Sequence, residues 1–243
     1  MCLKTIVLNP YSTHFCKGQA KSANHQPINQ LDVVMHKKPE NKSVRAGAVG
    51  VIGLAVASLI YGFHGILAFQ TTPAAQLPAP SEWPSGSSLP WKAGRLRLLV
   101  FAHPRCACTN ATLNELSGVL ARLKTAAPNQ PAPEVSVIFV HPNPAEAASL
   151  SRRIDGIPGV HVITDETGIE AKRFGAKTSG EIFLYSAAGA LLFHGGITGS
   201  RGHIGRNFAE DDLFAALVSG SRSTTPRMVF GCSLKQGENR SAN

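Results

Sequence analysis

The sequence predicts an α/β fold, a three-layer α/β/α sandwich around a mixed central sheet, preceded by one transmembrane helix. Three observations predict it. Short apolar runs of strand length alternate with helical segments in the second half of the chain. Two late runs are joined by a tight turn, and one uncharged stretch, Ala46–Phe69, precedes them all. We therefore expect five parts: a basic, disordered tail (1–45), a transmembrane helix (46–69), a linker (70–94), an α/β domain (95–220) and a C-terminal tail (221–243).

Basic residues are concentrated at the start of the chain. The 243 residues include 24 Lys or Arg and 15 Asp or Glu, a formal charge of +9. The first 45 residues include seven basic and two acidic residues, whereas residues 70–243 include 17 basic and 13 acidic residues. The folded part is thus nearly balanced, and a nucleic-acid partner is not expected.

The apolar stretch Ala46–Phe69 is long enough, at about 1.5 Å per residue, to cross a hydrocarbon core of about 30 Å. A buried core helix is seldom apolar on every face over this length. The cations just before it are Lys37, Lys38, Lys42 and Arg45, and the next one after it is Lys92. This asymmetry predicts a single-pass protein with its N-terminus in the cytoplasm and its domain outside.

A cleavable signal peptide is the competing interpretation, and Met35 is then a plausible alternative start. Cys2 and Cys16 are assigned no role. Residues 71–94 contain five Pro with Ser and Gly, which predicts a semi-extended tether. Trp83 and Trp91 in it would rest on the membrane surface, or Trp91 would seal one edge of the domain.

The domain begins at Arg95 with the apolar strand RLRLLVFAH, followed by a helix that Thr109 is placed to cap. A second strand, EVSVIFVHP, and a second helix, PAEAASLSRRI, complete a βαβ unit with parallel strands. A short strand (160–164), a short helix (166–174) and a hairpin (181–195) follow. A glycine-rich loop then leads into a last helix (207–219).

The chemical signal is HPRCACT, residues 103–109, where the first strand ends and the first domain helix begins. The positive end of that helix and the neighbouring Arg105 both favour a thiolate at Cys106 or Cys108. Outside the cytoplasm such a pair can cycle between dithiol and disulfide. With one intervening residue, the disulfide ring would be small and more oxidising.

The order strand, F-x-x-x-x-C, helix, then βα and a terminal ββα resembles the thioredoxin-like superfamily, from Leu96 to Ser219. Phe101 stands five residues before Cys106, which matches the family's attacking thiol. The family's second cysteine would fall at Thr109, and its proline loop would fall at residues 177–180, where there is no proline. HPRCACT, the stretch from residue 178 and the late VFGC also resemble a bacterial, membrane-tethered group of RedB-type proteins.

The resemblance implies a thiol–disulfide oxidoreductase at the bacterial cytoplasmic membrane, with its domain in the periplasm or outside and no cofactor. Cys106 would attack a protein or small-thiol disulfide, and Cys108 or Cys232 would resolve the mixed disulfide. The residues expected to bind substrate are Thr178, Ser179, Gly180, Arg201 and His203. For Cys232 the alternative is an inert thiol on a frayed tail.

Two other functions stay open. Thiolates with imidazole suit Cu(I) or Zn, so Cys106, Cys108 and His103 would form a metal site in a copper- or zinc-handling protein. A non-catalytic binding module is the third interpretation. Hydrolase and phosphate-binding motifs are absent from the sequence.

Overall fold

A computed structural model describes residues 42–91, 94–143, 146, 154, 157, 159–223 and 226–234. The chain divides into two compact units, residues 1–50 and 51–243. Of the first unit the structure describes only residues 42–50, where the first helix begins. The predictions for the basic tail, including Cys2 and Cys16, lie outside the described residues, as does most of the predicted helix 144–154.

The first helix, α1 (Lys42–Thr71), contains the whole predicted apolar stretch and extends beyond it at both ends. Its described side chains are exposed around the full circumference, as expected for a helix that is apolar on every face. Among the described residues it is the one helix long and apolar enough to cross a membrane.

The sheet has five strands: β1 (Arg97–Ala102), β2 (Glu134–Val140), β3 (Val160–Asp165), β4 (Glu181–Tyr185) and β5 (Leu191–Gly195), in the order β3-β2-β1-β4-β5. Strand β1 is parallel to β2, which is parallel to β3. Strands β4 and β5 run antiparallel to their neighbours. The predicted parallel βαβ unit, late hairpin and mixed sheet are confirmed.

The helices described in full beside the sheet are α2 (Ala107–Ala126), α3 (Ile169–Phe174) and α4 (Phe208–Ser219). Asn207 caps α4, since its side chain accepts the N–H groups of Ala209 and Glu210. The predicted cap of α2 at Thr109 is wrong. Helix α2 begins at Ala107, so Cys106 is its N-cap residue, and the Thr109 hydroxyl donates to the carbonyl of His103 instead.

The core lies on both faces of the sheet. One face packs against α2 and α4, through residues such as Leu98, Leu116, Val137, Leu184 and Leu213. The other face carries a second cluster around Phe101, Phe174 and Phe183, which includes residues from outside the strands and helices (Leu89 and Leu234). Extended chain therefore supplies part of the third layer of the sandwich.

The linker is not a free tether, because it packs on the domain. We call residues 73–91 the strap. Trp83 packs edge-on against Phe174 and Tyr185, with ring centroids 5.1 and 5.4 Å away. The Ser87 hydroxyl and the Ser88 N–H both donate to Glu170, and Leu89 is buried. The proline content of this segment predicts a solvated tether, but the strap also has apolar side chains that it can bury. Proline lowers the entropy cost of ordering such a segment.

The described end of the chain, residues 226–234, also packs on the domain; we call it the C-terminal arm. Its Arg227 N–H donates to the carbonyl of His194 in β5, and its Val229 carbonyl accepts the N–H of Ala74 in the strap. Val229 and Leu234 are buried. The arm can approach β5 closely because Gly195 (φ +144°) has no side chain. A Cβ at this position would overlap the Arg227 backbone.

Candidate functional site

Cys106 lies where β1 ends and α2 begins. Every residue of β1 is buried, so the strand fixes the position of the turn His103–Arg105 that follows it. Cys106 has an extended backbone (φ −85°, ψ 123°) and its carbonyl accepts the N–H of Thr109. The sulfur is therefore held at the N-terminus of a 20-residue helix, where the helix dipole favours negative charge.

The structure brings Cys106 and Cys232 together. Their Sγ atoms are 3.0 Å apart, although the residues are separated by 126 positions in the sequence. All three described cysteines are free thiols. Cys106 is only 3% exposed and Cys108 only 5%, whereas Cys232 is half-buried.

Cys106 carries the thiolate of the group. The main cause is the Cys108 thiol, which donates a hydrogen bond to the Cys106 sulfur and lowers its pKa. Burial opposes this, but the Cys232 thiol and the backbone N–H groups of Cys108 and Cys232 also donate to the sulfur. Together these donors lower the pKa of Cys106 to about 4, so it is ionised at neutral pH.

Cys108 and Cys232 stay protonated. The pKa of Cys108 is strongly raised, first because its proton is held by the Cys106 sulfur and second because the group is buried. Burial, followed by the hydrogen bond to Cys106, raises the pKa of Cys232 to about 11, and the positive charge of Arg201 opposes that shift. One thiolate and two thiol donors thus share a single cluster.

The loop before β4, residues 177–180, packs directly on the cysteine turn. Ser179 is fully buried, and its hydroxyl accepts the N–H of His103 and lies 2.9 Å from the Thr109 hydroxyl. Glu181 stabilises the loop, because its carboxylate accepts the N–H groups of Lys177 and Thr178. The same carboxylate lies 2.7 Å from His194 Nε2.

The outer edge of this loop is filled by the C-terminal arm. The N–H of Ser179 donates to the carbonyl of Cys232 at 2.8 Å, and the N–H of Leu234 donates to the carbonyl of Lys177 at 2.9 Å. Thr178 and Ser233 pair as an antiparallel bridge. The backbone groups that we expected to bind substrate at Thr178, Ser179 and Gly180 therefore bind this chain: the N–H of Gly180 donates to Phe101.

Two arginines were expected at the site: Arg105 beside a thiolate, and Arg201 as a substrate-binding residue. The Arg105 side chain is 66% exposed and forms an ion pair with Glu146 at 2.9 Å, and it is not among the main causes of the low Cys106 pKa. Its expected role in stabilising a thiolate is taken by thiol and N–H donors. Arg201 lies beside Cys232 and donates to the carbonyls of Gly231 and Phe69. His203 is exposed in the glycine-rich loop.

His103 is buried beside the thiolate, and burial lowers its pKa. Its Nδ1 atom accepts the N–H of Arg105 at 3.2 Å, which fixes the orientation of the ring within the turn. Within the part of the chain that the structure describes, there is no group of three or more His, Cys, Asp or Glu residues arranged to hold a metal ion.

No family model matches the sequence, and no curated protein matches it. Solved structures do. An uncharacterized conserved protein from Geobacillus kaustophilus is 16% identical with a TM-score of 0.50, and the alignment covers 71% of this chain and 95% of that one. The chain has a thioredoxin-like fold.

Two further solved structures are more distant. A secreted Mycobacterium tuberculosis disulfide oxidoreductase homologous to Escherichia coli DsbE is 18% identical, with 52% of this chain and 83% of that one covered and a TM-score of 0.38. Yeast Sco1 is 17% identical with a TM-score of 0.40, and the alignment covers 52% of this chain and 79% of Sco1. At these identities the similarity concerns the fold, and the narrower RedB-type group stays a prediction.

Some residues that shape this site have no clear signal in the sequence. Gly231 approaches the Ser179 carbonyl so closely that no Cβ would fit there. Gly202 donates its N–H to the Cys108 sulfur, so the glycine-rich loop reaches the thiols through its backbone. The buried Glu181–His194 pair could have been suspected from a carboxylate in a strongly apolar strand.

Proposed function

We propose that this chain is a membrane-anchored thiol–disulfide oxidoreductase whose redox pair is Cys106 and Cys232. Cys108 serves as a hydrogen-bond donor that keeps Cys106 ionised. The substrates are thiols and disulfides of proteins or small molecules, and no cofactor is needed for the exchange. Of the two resolving thiols that the sequence left open, the geometry favours Cys232.

The observation that carries this proposal is the 3.0 Å separation of the Cys106 and Cys232 sulfur atoms. A disulfide needs its sulfur atoms at about 2.05 Å, so the pair closes with a movement of about 1 Å. Backbone hydrogen bonds from Ser179 and Leu234 already hold the arm in register with the loop. The reduced site is therefore arranged for this disulfide.

The low pKa of Cys106 favours an oxidising role. A stabilised thiolate stabilises the reduced pair, which makes the corresponding disulfide a stronger oxidant. Each turnover converts two substrate thiols into a disulfide while the Cys106–Cys232 bond takes up two electrons. Of the two protons released, one ends on Cys232 and the other passes to solvent, because Cys106 stays ionised. A second disulfide-bearing oxidant then regenerates the pair.

Helix α1 supports the anchored location. It is 30 residues long and its described side chains are exposed, and residues 46–69 are uncharged. The cations before it, and the lack of any Lys or Arg after it until Lys92, favour an orientation with the thiol site outside the cytoplasm. That compartment permits disulfide chemistry, whereas a reducing cytoplasm opposes it.

Activity of three serine variants tests the assignment of the cysteines. Full-length protein in detergent is assayed for oxidation of a reduced peptide with two cysteines, with glutathione disulfide as the terminal oxidant. We expect Cys106→Ser and Cys232→Ser to lose turnover, because each removes one sulfur of the pair. Cys108→Ser should retain turnover at a reduced rate, since a hydroxyl still donates to Cys106.

Unchanged turnover in Cys106→Ser would contradict an enzymatic role and would favour the binding module. Loss of turnover in Cys108→Ser, with full activity in Cys232→Ser, would return the resolving role to Cys108. Stoichiometric copper or zinc in the purified protein, lost in Cys106→Ser, would instead support the metal-handling interpretation.

A further inference from the structure

The proposed pair has one buried cysteine and one half-buried cysteine. We propose, on the basis of the proposed function, that substrate thiols exchange with the disulfide at Cys232, carried by the C-terminal arm, and that Cys106 never bonds to substrate. The attacking position of the thioredoxin-like motif is then an internal leaving group. Cys232 is the catalytic residue that touches substrate.

Accessibility distinguishes the two sulfur atoms. Cys106 is 3% exposed, and its sulfur lies against Cys232, whose own side chain is half-buried. The next residue, Ser233, is exposed. An external thiol can therefore approach Cys232, whereas the arm stands between solvent and Cys106.

The arm is held firmly enough to keep this arrangement during exchange. Its backbone pairs with the loop on both sides of Ser233, through Ser179 to Cys232 and through Leu234 to Lys177. Gly231 fits against the Ser179 carbonyl with no space for a side chain. An incoming protein thiol cannot displace the arm without breaking these contacts, so attack on the accessible sulfur is the less costly route.

The electrostatics agree with that direction of attack. A thiolate that attacks a disulfide expels the sulfur with the lower pKa more readily. Here that sulfur is Cys106, with a pKa of about 4 against about 11 for Cys232. Arg201 adds a positive charge beside Cys232, which attracts an incoming thiolate.

The exchange balances in two steps. A substrate thiolate bonds to Cys232 Sγ, the Cys106–Cys232 bond breaks, and its electron pair leaves on Cys106 as a thiolate. A second substrate thiolate then bonds to the substrate sulfur on Cys232. Cys232 leaves as a thiolate and takes a proton, and the substrate departs as a disulfide with both electrons left on the cysteine pair.

Trapping the mixed disulfide with glutathione tests the inference. Oxidised full-length protein in detergent is mixed with reduced glutathione, quenched with acid, denatured, alkylated with N-ethylmaleimide and digested with trypsin. Cleavage after Arg105, Arg122, Arg227 and Lys235 places Cys106 and Cys108 in one peptide (106–122) and Cys232 in another (228–235). We expect the glutathionyl group on peptide 228–235 and maleimide on Cys106.

A glutathionyl group mainly on peptide 106–122 would overturn the inference and leave the proposed function standing. If the oxidised protein holds no Cys106–Cys232 disulfide before glutathione is added, the proposed function itself fails. The two results are distinguished in one experiment, because the disulfide is mapped before and after mixing.

Gly231→Ala supplies a second measurement, because the new Cβ forces the arm away from Ser179. In this variant we expect a larger share of the glutathionyl group on peptide 106–122. The matched control is Gly118→Ala, where a Cβ in α2 meets open space. Identical distributions in the two variants would overturn the shielding role of the arm.

Discussion

Cys106 owes its ionisation to hydrogen-bond donors more than to neighbouring cations. The sequence HPRCACT suggested Arg105 as the stabilising charge, but that guanidinium is paired with Glu146. The thiol of Cys108, one residue into the helix, is the largest single influence on the Cys106 pKa. In the proposed mechanism the C-x-C spacing therefore has a physical role without a disulfide of its own, since the second thiol stabilises the first as a thiolate.

Replacing Cys108 tests this role. Cys108→Ala removes the donor, and hydrogen bonds to charged groups contribute about 1.5 kcal/mol or more, equivalent to about one pKa unit. We expect the pKa of Cys106 to rise by at least that amount in a thiolate absorbance titration at 240 nm. Cys108→Ser, which keeps a hydroxyl donor, is the matched control and should shift less. An unchanged pKa in Cys108→Ala would refute the role.

The elements that the sequence predicted well are those with local periodicity. Strands β1 and β2, the β4–β5 hairpin and helix α4 follow from apolar runs and their spacing. In the strap and the C-terminal arm, apolar residues do not recur at a regular spacing, because neither segment forms a helix or a long strand. Their packing depends on the sheet that they cover, so composition alone indicated a tether in one case and left docking or fraying open in the other.

The strap contributes to stability through Trp83. Its ring contacts Trp91, Phe174 and Tyr185, with the nearest centroid 5.0 Å away. For Trp83→Ala we expect the free energy of unfolding to fall by about 2 to 4 kcal/mol in urea titrations. Phe208→Ala, at a side chain that is 82% exposed, should change it by less than about 0.5 kcal/mol. Equal effects of the two substitutions would mean that the strap does not stabilise the domain.

At the scale of the whole molecule, two extended segments close the site. The arm brings Cys232 to a sulfur 126 positions away, and the strap accepts a hydrogen bond from Thr178, in the same loop that the arm covers. The sequence identified Cys106 and Cys108 because they adjoin a strand and a helix. It offered Cys232 as only one of two candidate partners of Cys106, since that contact depends on how the chain beyond α4 returns to the sheet.

The mapped reduction potential of the full-length protein tests the central claim most directly. Samples are equilibrated in glutathione buffers of graded potential, alkylated, and analysed by mass spectrometry after digestion without reductant. We expect one disulfide, between peptides 106–122 and 228–235, with a midpoint above the value of about −270 mV that is typical of thioredoxin. A disulfide between Cys106 and Cys108, or a midpoint below that of thioredoxin, would contradict an oxidising Cys106–Cys232 pair.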